Sequence, residues 1–313
     1  MCLSDAYNAN HIFVAVFKGC TMEERFQHGK KLCLQGKYHE LIYPSGNKII
    51  VRNPIANLYM FERFKILYCQ LGKTGTNSIF KMLIDATEMN ISTANPHDPS
   101  ALAAAGIVKL RDEDLTNEEL VNRLHTYFKF AVVRNPMTRL VSAYNNKFVD
   151  YYYESAAEAI FSITRNGNYT IGDRPSWKEF INYIPIADQR DGHWVSQFDA
   201  CRPCDIQYDA IIKMEYLDDE VSALRPVLGD KSHIAHRNPS SVVEEGGNRR
   251  HRTYADYIND LSDEEILKMK RHYERDFGYF GYDISVEDRK LSLNEECAPQ
   301  RYLLYRPSPS HRV

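Results

Sequence analysis

The sequence predicts an α/β fold with a parallel central sheet flanked by helices, on three observations. A short apolar run, Phe64–Cys69, ends in a small-residue turn and leads into a helical apolar pattern. A second run, Phe130–Val133, does the same, and a polar helix separates the two. Strands alternating with helices place helices on the faces of a parallel sheet, and such sheets bind ligands at the carboxyl ends of their strands.

Taken in order, residues 1–63 read as an N-terminal extension of irregular structure, with short strands such as Lys48–Val51. After the strand Phe64–Cys69, the residues Ile79, Met82, Leu83 and Ala86 fall at helical spacing. A loop rich in Asn, Pro and Ser leads to the helix of "TNEELVNRLHTYF", where Thr116 and Glu119 have capping-box spacing. The strand Phe130–Val133 then delivers a helix with Pro136 in its first turn, where a missing N–H costs nothing, and with Met137, Leu140, Val141, Tyr144, Phe148 and Tyr151 on one face. Leu261–Phe277 reads as one amphipathic packing helix. No internal repeat or low-complexity tract interrupts this order.

Composition narrows the function. The 313 residues are 43% apolar and 26% charged, an ordinary globular balance, and the formal net charge of −3 argues against a general polyanion-binding surface, so nucleic acid is not an expected partner. The longest apolar run near the N-terminus, Ile12–Phe17, is far below the roughly 18 residues a bilayer span needs. Of the seven cysteines only Cys201 and Cys204 are closely spaced, and a zinc set would need a second pair. Asn90-Ile91-Ser92 and Asn168-Tyr169-Thr170 have the form of glycosylation sequons, which also arise by chance.

The chemistry concentrates at the two strand-to-helix turns. Gly72-Lys73-Thr74 has the end of a nucleoside triphosphate loop, but the position of its first glycine is Leu67, inside the strand, so the wrapping loop is missing. What remains is Lys73, Thr74, Gly75, Thr76, Asn77 and Ser78 at a helix start, where backbone amides and the helix dipole favour an anion. Arg134 follows the second strand and Ser142 lies eight residues on along the next helix, so the two can converge on a second anion; Arg139 sits at a different angle. Each cluster has a plain structural alternative, a capped helix with a solvated lysine or an arginine in an ion pair. Both together describe a ligand with two separated anionic groups.

A nucleotide with a 5′-anhydride and a 3′-phosphate has that shape. "KTGTNS" resembles the 5′-phosphosulfate loop of sulfotransferases, and "FAVVRNPMTRLVSAYNNKF" the 3′-phosphate motif of Golgi carbohydrate sulfotransferases of the chondroitin and HNK-1 group. "HWVSQFDACRPCDIQYDAIIKME" and "HYERDFGYFGYD" resemble two later segments of that group, in the same order, so the likeness spans roughly residues 64–283. Two departures stand out: Gly72 replaces the family's proline, which is expected to loosen the loop, and Asn135 and Met137 replace Asp and Phe.

The resemblance implies the sulfotransferase (P-loop-like) fold, with a catalytic domain over residues 64–285 and a C-terminal tail over 286–313. It implies sulfuryl transfer by in-line displacement from 3′-phosphoadenosine 5′-phosphosulfate, without a metal, to a hydroxyl of a glycosaminoglycan or glycoprotein sugar in the Golgi lumen. It also implies an N-terminal membrane anchor, which the chain as given does not show; either the chain is incomplete or it is anchored or delivered otherwise. Lys73 would stand beside the leaving phosphate oxygen, Thr74–Ser78 would hold the 5′-phosphate, and Arg134 with Ser142 the 3′-phosphate.

For the general base the candidates are His97, favoured because related glycan sulfotransferases supply theirs from this region, and His193 of the His-Trp pair. Cys201 and Cys204 are expected to form a local disulfide. Acceptor choice is expected to lie in loops such as Glu154–Ser176; Tyr151–Tyr153 would face a sugar or wedge the core, and Arg249, Arg250 and Arg252 would contact an anionic acceptor or stay solvated. Two alternatives remain: a P-loop-like nucleotide kinase or hydrolase, or an inactive remnant that only binds the nucleotide.

Overall fold

The structure, a computed structural model, describes residues 22–34, 55–93, 95–186, 191–234 and 252–282. The apolar run Ile12–Phe17, the strand expected at Lys48–Val51, Arg249, Arg250 and the tail from residue 286 lie outside the described residues.

Five strands form one sheet: β1 (Leu58–Phe61), β2 (Ile66–Cys69), β3 (Ile107–Lys109), β4 (Phe128–Val133) and β5 (Ala210–Lys213), in the order β3-β1-β2-β4-β5. β2, β4 and β5 run parallel as the sequence predicts, with Tyr68 opposite Phe130 and Phe130 opposite Ala210. β1 is antiparallel to both β2 and β3, so the sheet is mixed. The reason is the connection. A 3₁₀ turn at Glu62–Phe64 and a left-handed Lys65 (φ 50°) join β1 to β2, far too short for a parallel crossover. That turn also delays the strand expected from Phe64 until Ile66, and the sheet begins at Leu58, ahead of the boundary expected at residue 64.

β2 and β4 are buried on both faces, which is why they read as continuous apolar runs. Leu67, Cys69, Ala131 and Val133 join one core cluster, and Ile66, Tyr68, Phe130 and Val132 the other. Helix α1 (Met22–Leu34) packs near β5. Helix α2 (Thr76–Ala86) places Ile79, Phe80, Met82 and Leu83 in the second cluster, and short α3 (Pro99–Ala104) follows. Helix α4 (Asn117–Thr126) starts at the expected capping box of Thr116 and Glu119. Helix α5 (Pro136–Tyr144) packs Met137 and Leu140 in the first cluster; its N-cap Asn135 accepts from the N–H groups of Met137 and Thr138, so Asn serves where the resembled family has Asp.

The chain continues past α5 as a π-helical turn, Asn145–Asp150. Its wider bonding, with the Tyr151 N–H on the Asn146 carbonyl, rotates Tyr151 off the buried face expected for it, and that side chain is 67% exposed. Helices α6 (Glu154–Thr164), α7 (Trp177–Tyr183) and α8 (Gln197–Cys201) follow, then short α9 (Leu217–Glu220) and α10 (Arg225–Leu228), and last α11 (Tyr254–Asn259), α12 (Asp263–His272) and α13 (Glu274–Phe280). The single helix expected over Leu261–Phe277 is two. It breaks at Tyr273 (φ −102°, ψ 24°), which is buried and whose hydroxyl donates to the Trp194 carbonyl.

The cysteine pairing also differs from expectation. Cys69 bonds Cys201, joining the end of β2 to the end of α8, and Cys33 bonds Cys204, fixing α1 to the core. Arg202 in the left-handed region (φ 47°) turns the chain between the two neighbours, so each meets a distant partner. An Arg25–Glu220 ion pair holds α1 from its other end. Non-reducing peptide mapping is expected to recover Cys33 joined to Cys204 and Cys69 joined to Cys201. Because these bonds close loops of 171 and 132 residues, Cys69→Ser is expected to lower the unfolding free energy by about 2–5 kcal/mol, read from denaturant midpoints.

Candidate active site

The carboxyl ends of parallel β2 and β4 lie side by side, so the turns that leave them meet. After β2 the chain folds tightly: Lys73 (φ 70°) and Gly75 (φ 73°) are both left-handed, an uncommon conformation for a lysine. The hydroxyls of Thr74 and Thr76 both donate to the Leu71 carbonyl, at 3.0 and 2.6 Å, and both side chains are buried. These two threonines therefore shape the turn with their hydroxyls, which leaves anion contact to backbone amides. At the start of α2 the Ser78 and Ile79 N–H groups donate to the Gly75 carbonyl at 2.9 and 3.1 Å, which leaves the amides of Thr76 and Asn77 facing outward from the helix, with the Asn77 and Ser78 side chains half-buried beside them.

A second loop clamps this turn. The Gly72 N–H donates to the Gly192 carbonyl at 3.2 Å, and a Cβ on Gly72 would stand 2.7 Å from that oxygen. Gly72 thus does not loosen the loop; it allows the closest approach of the two backbones. Arg139, only 1% exposed, holds both: Nε donates to the Gly72 carbonyl (2.9 Å), Nη2 to Gly192 (2.9 Å) and Nη1 to Val195 (2.6 Å).

Arg134 is fixed by its backbone. Its N–H donates to Gln197 Oε1 at 2.8 Å and its carbonyl accepts from Gln197 Nε2 at 2.7 Å, while Asp276, with no exposed surface, accepts from the Gln197 and Phe198 N–H groups and the Ser196 hydroxyl. The Arg134 side chain donates from Nε to Thr138 and from Nη1 to the Lys73 carbonyl at 3.3 Å, which ties the two candidate anion sites directly. Ser142 lies half-buried further along α5.

Burial, together with the positive charges of Arg134 and Lys147, pulls the Lys73 ammonium down to a pKa of about 8; Asp150 opposes this. Burial likewise lowers Arg134. Lys147, on the π-helical turn with its ammonium 5.1 Å from the Tyr153 ring, was not singled out in the sequence, because the turn that aims it is invisible there.

Both candidate histidines reach the same place. His97 sits edge-on to Phe80 at 5.1 Å, and burial, then the neighbouring His193 charge, lower its pKa. His193 pairs through Nδ1 with Asp191 Oδ1 at 2.6 Å, and its backbone N–H donates to the same oxygen at 2.8 Å. Burial works against ionisation of Asp191, but the bonds from His193 outweigh it and hold that carboxyl below its usual value. Tyr153 stands against His193 and Trp194, and burial and the Asp191 charge raise its phenol. The sequence analysis did not name Asp191, whose place two residues before the histidine was the available signal, and it placed Arg139 at a different angle from Arg134 without its role in the clamp.

The pattern that defines the Sulfotransferase family matches residues 56–283, and the chain belongs to that family. It is 27% identical over 283 residues to carbohydrate sulfotransferase 10 of Homo sapiens, across 83% of this chain and 75% of that one. It is 25% identical to the Xenopus laevis protein of the same name, across 83% and 76%. To carbohydrate sulfotransferase 9 of Homo sapiens it is 27% identical over 238 residues, across 73% of this chain and 53% of that one. No solved structure matches the chain.

Arg139→Met is expected to leave the Gly72 and Val195 carbonyls without this donor and the Gly192 carbonyl with the Gly72 N–H, and to lower the unfolding free energy by roughly 3 kcal/mol or more. Arg139→Lys is expected to recover little of it, since a single ammonium does not reproduce the planar fork; urea midpoints of both variants check this.

Proposed function

We propose that the protein transfers a sulfuryl group from 3′-phosphoadenosine 5′-phosphosulfate to a hydroxyl of a carbohydrate, of chondroitin or dermatan type or of HNK-1 type. The observation that carries the reading is the joining of two cationic strand-end sites, Lys73 with the start of α2 and Arg134 in the turn from β4 to α5, through the hydrogen bond from Arg134 to the Lys73 carbonyl. Their separation by adjacent strands suits one ligand with a 5′ and a 3′ anionic group. The kinase reading lacks its loop: Leu67, where the first glycine would stand, is a fully buried strand residue. Four further features support the reading: membership of the sulfotransferase family, the relatives named carbohydrate sulfotransferases, the phosphate-shaped turn and the paired histidines.

The chemistry is positioning and electrostatics. In-line attack by the sugar oxygen on sulfur builds charge on the phosphate oxygen that leaves, and the Lys73 ammonium meets that charge as it develops. Thr74, Gly75, Thr76 and Asn77 would hold the 5′-phosphate by backbone amides, joined by the side chains of Asn77 and Ser78, and Arg134 and Ser142 would hold the 3′-phosphate. The site supplies its own cations, so no metal ion is required to neutralise the donor. One of the two histidines, His97 or His193, takes the hydroxyl proton. The two disulfides fit an oxidising compartment such as the Golgi lumen. Among the described residues no helix is long and apolar enough to cross a membrane.

The decisive test is binding of 3′-phosphoadenosine 5′-phosphate compared with ADP and with ATP and magnesium. Metal-independent binding that needs the 3′-phosphate, and that weakens roughly 10- to 100-fold in Arg134→Ala, is the expected outcome; preference for ATP with magnesium, indifferent to Arg134, returns the site to the kinase class. A second expectation concerns pH. Lys73 acts as a cation, so kcat/KM for the donor falls as pH rises through its free-enzyme pKa of about 8. In Lys73→Arg, which keeps its charge, that alkaline limb disappears even where the rate is lower.

A further inference from the structure

The loop that carries His193 is built like a part of the catalytic apparatus. Gly192 and Gly72 are joined backbone to backbone, one residue before His193 and one before Lys73, and Arg139 donates to both carbonyls. The histidine is therefore registered to the lysine by three hydrogen bonds that involve neither side chain. Asp191 in turn grips His193 twice, through the ring Nδ1 and the backbone N–H, and is itself half-enclosed beside Tyr153. His97 is held differently. What its ring meets is the edge of Phe80.

Resting on the sulfotransferase reading above, we propose that Asp191 is a positioning residue that makes His193 the proton acceptor of the transfer. Asp191 accepts the Nδ1–H of the neutral imidazole, which fixes the tautomer and leaves Nε2 as the only ring acceptor. As the acceptor oxygen forms its bond to sulfur, its proton passes to Nε2. The bond from sulfur to the 5′-phosphate oxygen breaks, and its electron pair leaves on 3′-phosphoadenosine 5′-phosphate, where Lys73 meets the charge. The imidazolium that results is paired with Asp191. His97 is a neighbour of this pair and no proton acceptor.

The full chain tests this in Asp191→Asn, Asp191→Ala, His193→Gln and His97→Gln, with three measurements. Binding of 3′-phosphoadenosine 5′-phosphate reports the donor site. Sulfate release from 3′-phosphoadenosine 5′-phosphosulfate with water as acceptor, and transfer to desulfated chondroitin, report turnover. The ¹⁵N spectrum of His193 reports its tautomer. Nucleotide binding is expected to stay within about twofold throughout, while kcat falls about 100-fold or more in His193→Gln and in both Asp191 variants. The double variant Asp191→Ala with His193→Gln is expected to fall no further than His193→Gln alone, as for residues that act as a unit. His193 should be protonated on Nδ1 in the parent protein and lose that preference in Asp191→Ala.

The proposal is overturned if the Asp191 variants keep their turnover, if His97→Gln alone takes the loss, or if nucleotide binding collapses in step with turnover, which marks a structural role. Where turnover lies below detection the tautomer decides, and an Nε2-protonated His193 in the parent protein overturns it. Failure of the parent protein to bind the nucleotide at all removes the sulfotransferase reading, and with it the basis of the proposal.

Discussion

The arrangement depends on one buried cation. A guanidinium taken out of water carries a desolvation penalty of several kcal/mol, and among the described residues no carboxylate touches Arg139 to offset it. It is compensated by three backbone carbonyls at 2.6–2.9 Å and by the more distant charges of Asp276 and Asp191. Those carbonyls belong to two separate segments, the turn after β2 and the loop 192–195. A planar fork that must reach three oxygens leaves little freedom in either, so satisfying Arg139 and placing Lys73 beside His193 are the same event. The absence of a Cβ at Gly72 is the steric condition for it.

A second buried charge fixes the other half of the site. Asp276, on α13, closes the start of α8 through Ser196, Gln197 and Phe198, and Gln197 then holds the backbone of Arg134 on both sides. The C-terminal helices therefore act on Arg134 through α8. The disulfide from Cys69 to Cys201 bonds the end of β2 to the end of the same short helix, so α8 is anchored at its start by a carboxylate and at its end by sulfur. Helix α8 is only five residues long and would not hold its place by propensity alone.

What was legible in the sequence follows from range. Strands buried on both faces write a continuous apolar run, so β2 and the core of β4 could be read, and the turn after β2 writes its small residues and lysine consecutively. The capping box at Thr116 was likewise a local signal. The unread parts are set by distant partners. Nothing near Cys201 says that it will meet Cys69, and nothing near Arg139 says that its acceptors lie 67 and 53 residues away at Gly72 and Gly192. The π-helical turn keeps Phe148 buried as expected but shifts the residues around it, which misplaced Tyr151 and hid Lys147. The strand β1 was missed because its partner is reached through a turn with no glycine, at Lys65.

The site's charge balance is what separates a binding place from a packing detail. Lys73, Arg134 and Lys147 repel one another, and burial strengthens that repulsion. A lysine whose folded pKa lies below its unfolded value subtracts from stability wherever it is held charged. For Lys73 that cost is fully present below about pH 8 and is relieved as pH rises from there towards the usual lysine value. The fold alone would therefore be better off with the ammonium neutral, whereas an anion in the turn needs it charged. A structural lysine shows the opposite sign, gaining a carboxylate partner and a raised pKa. Under the proposed function the donor would complete this cluster, its negative charge removing a repulsion that folding alone leaves standing.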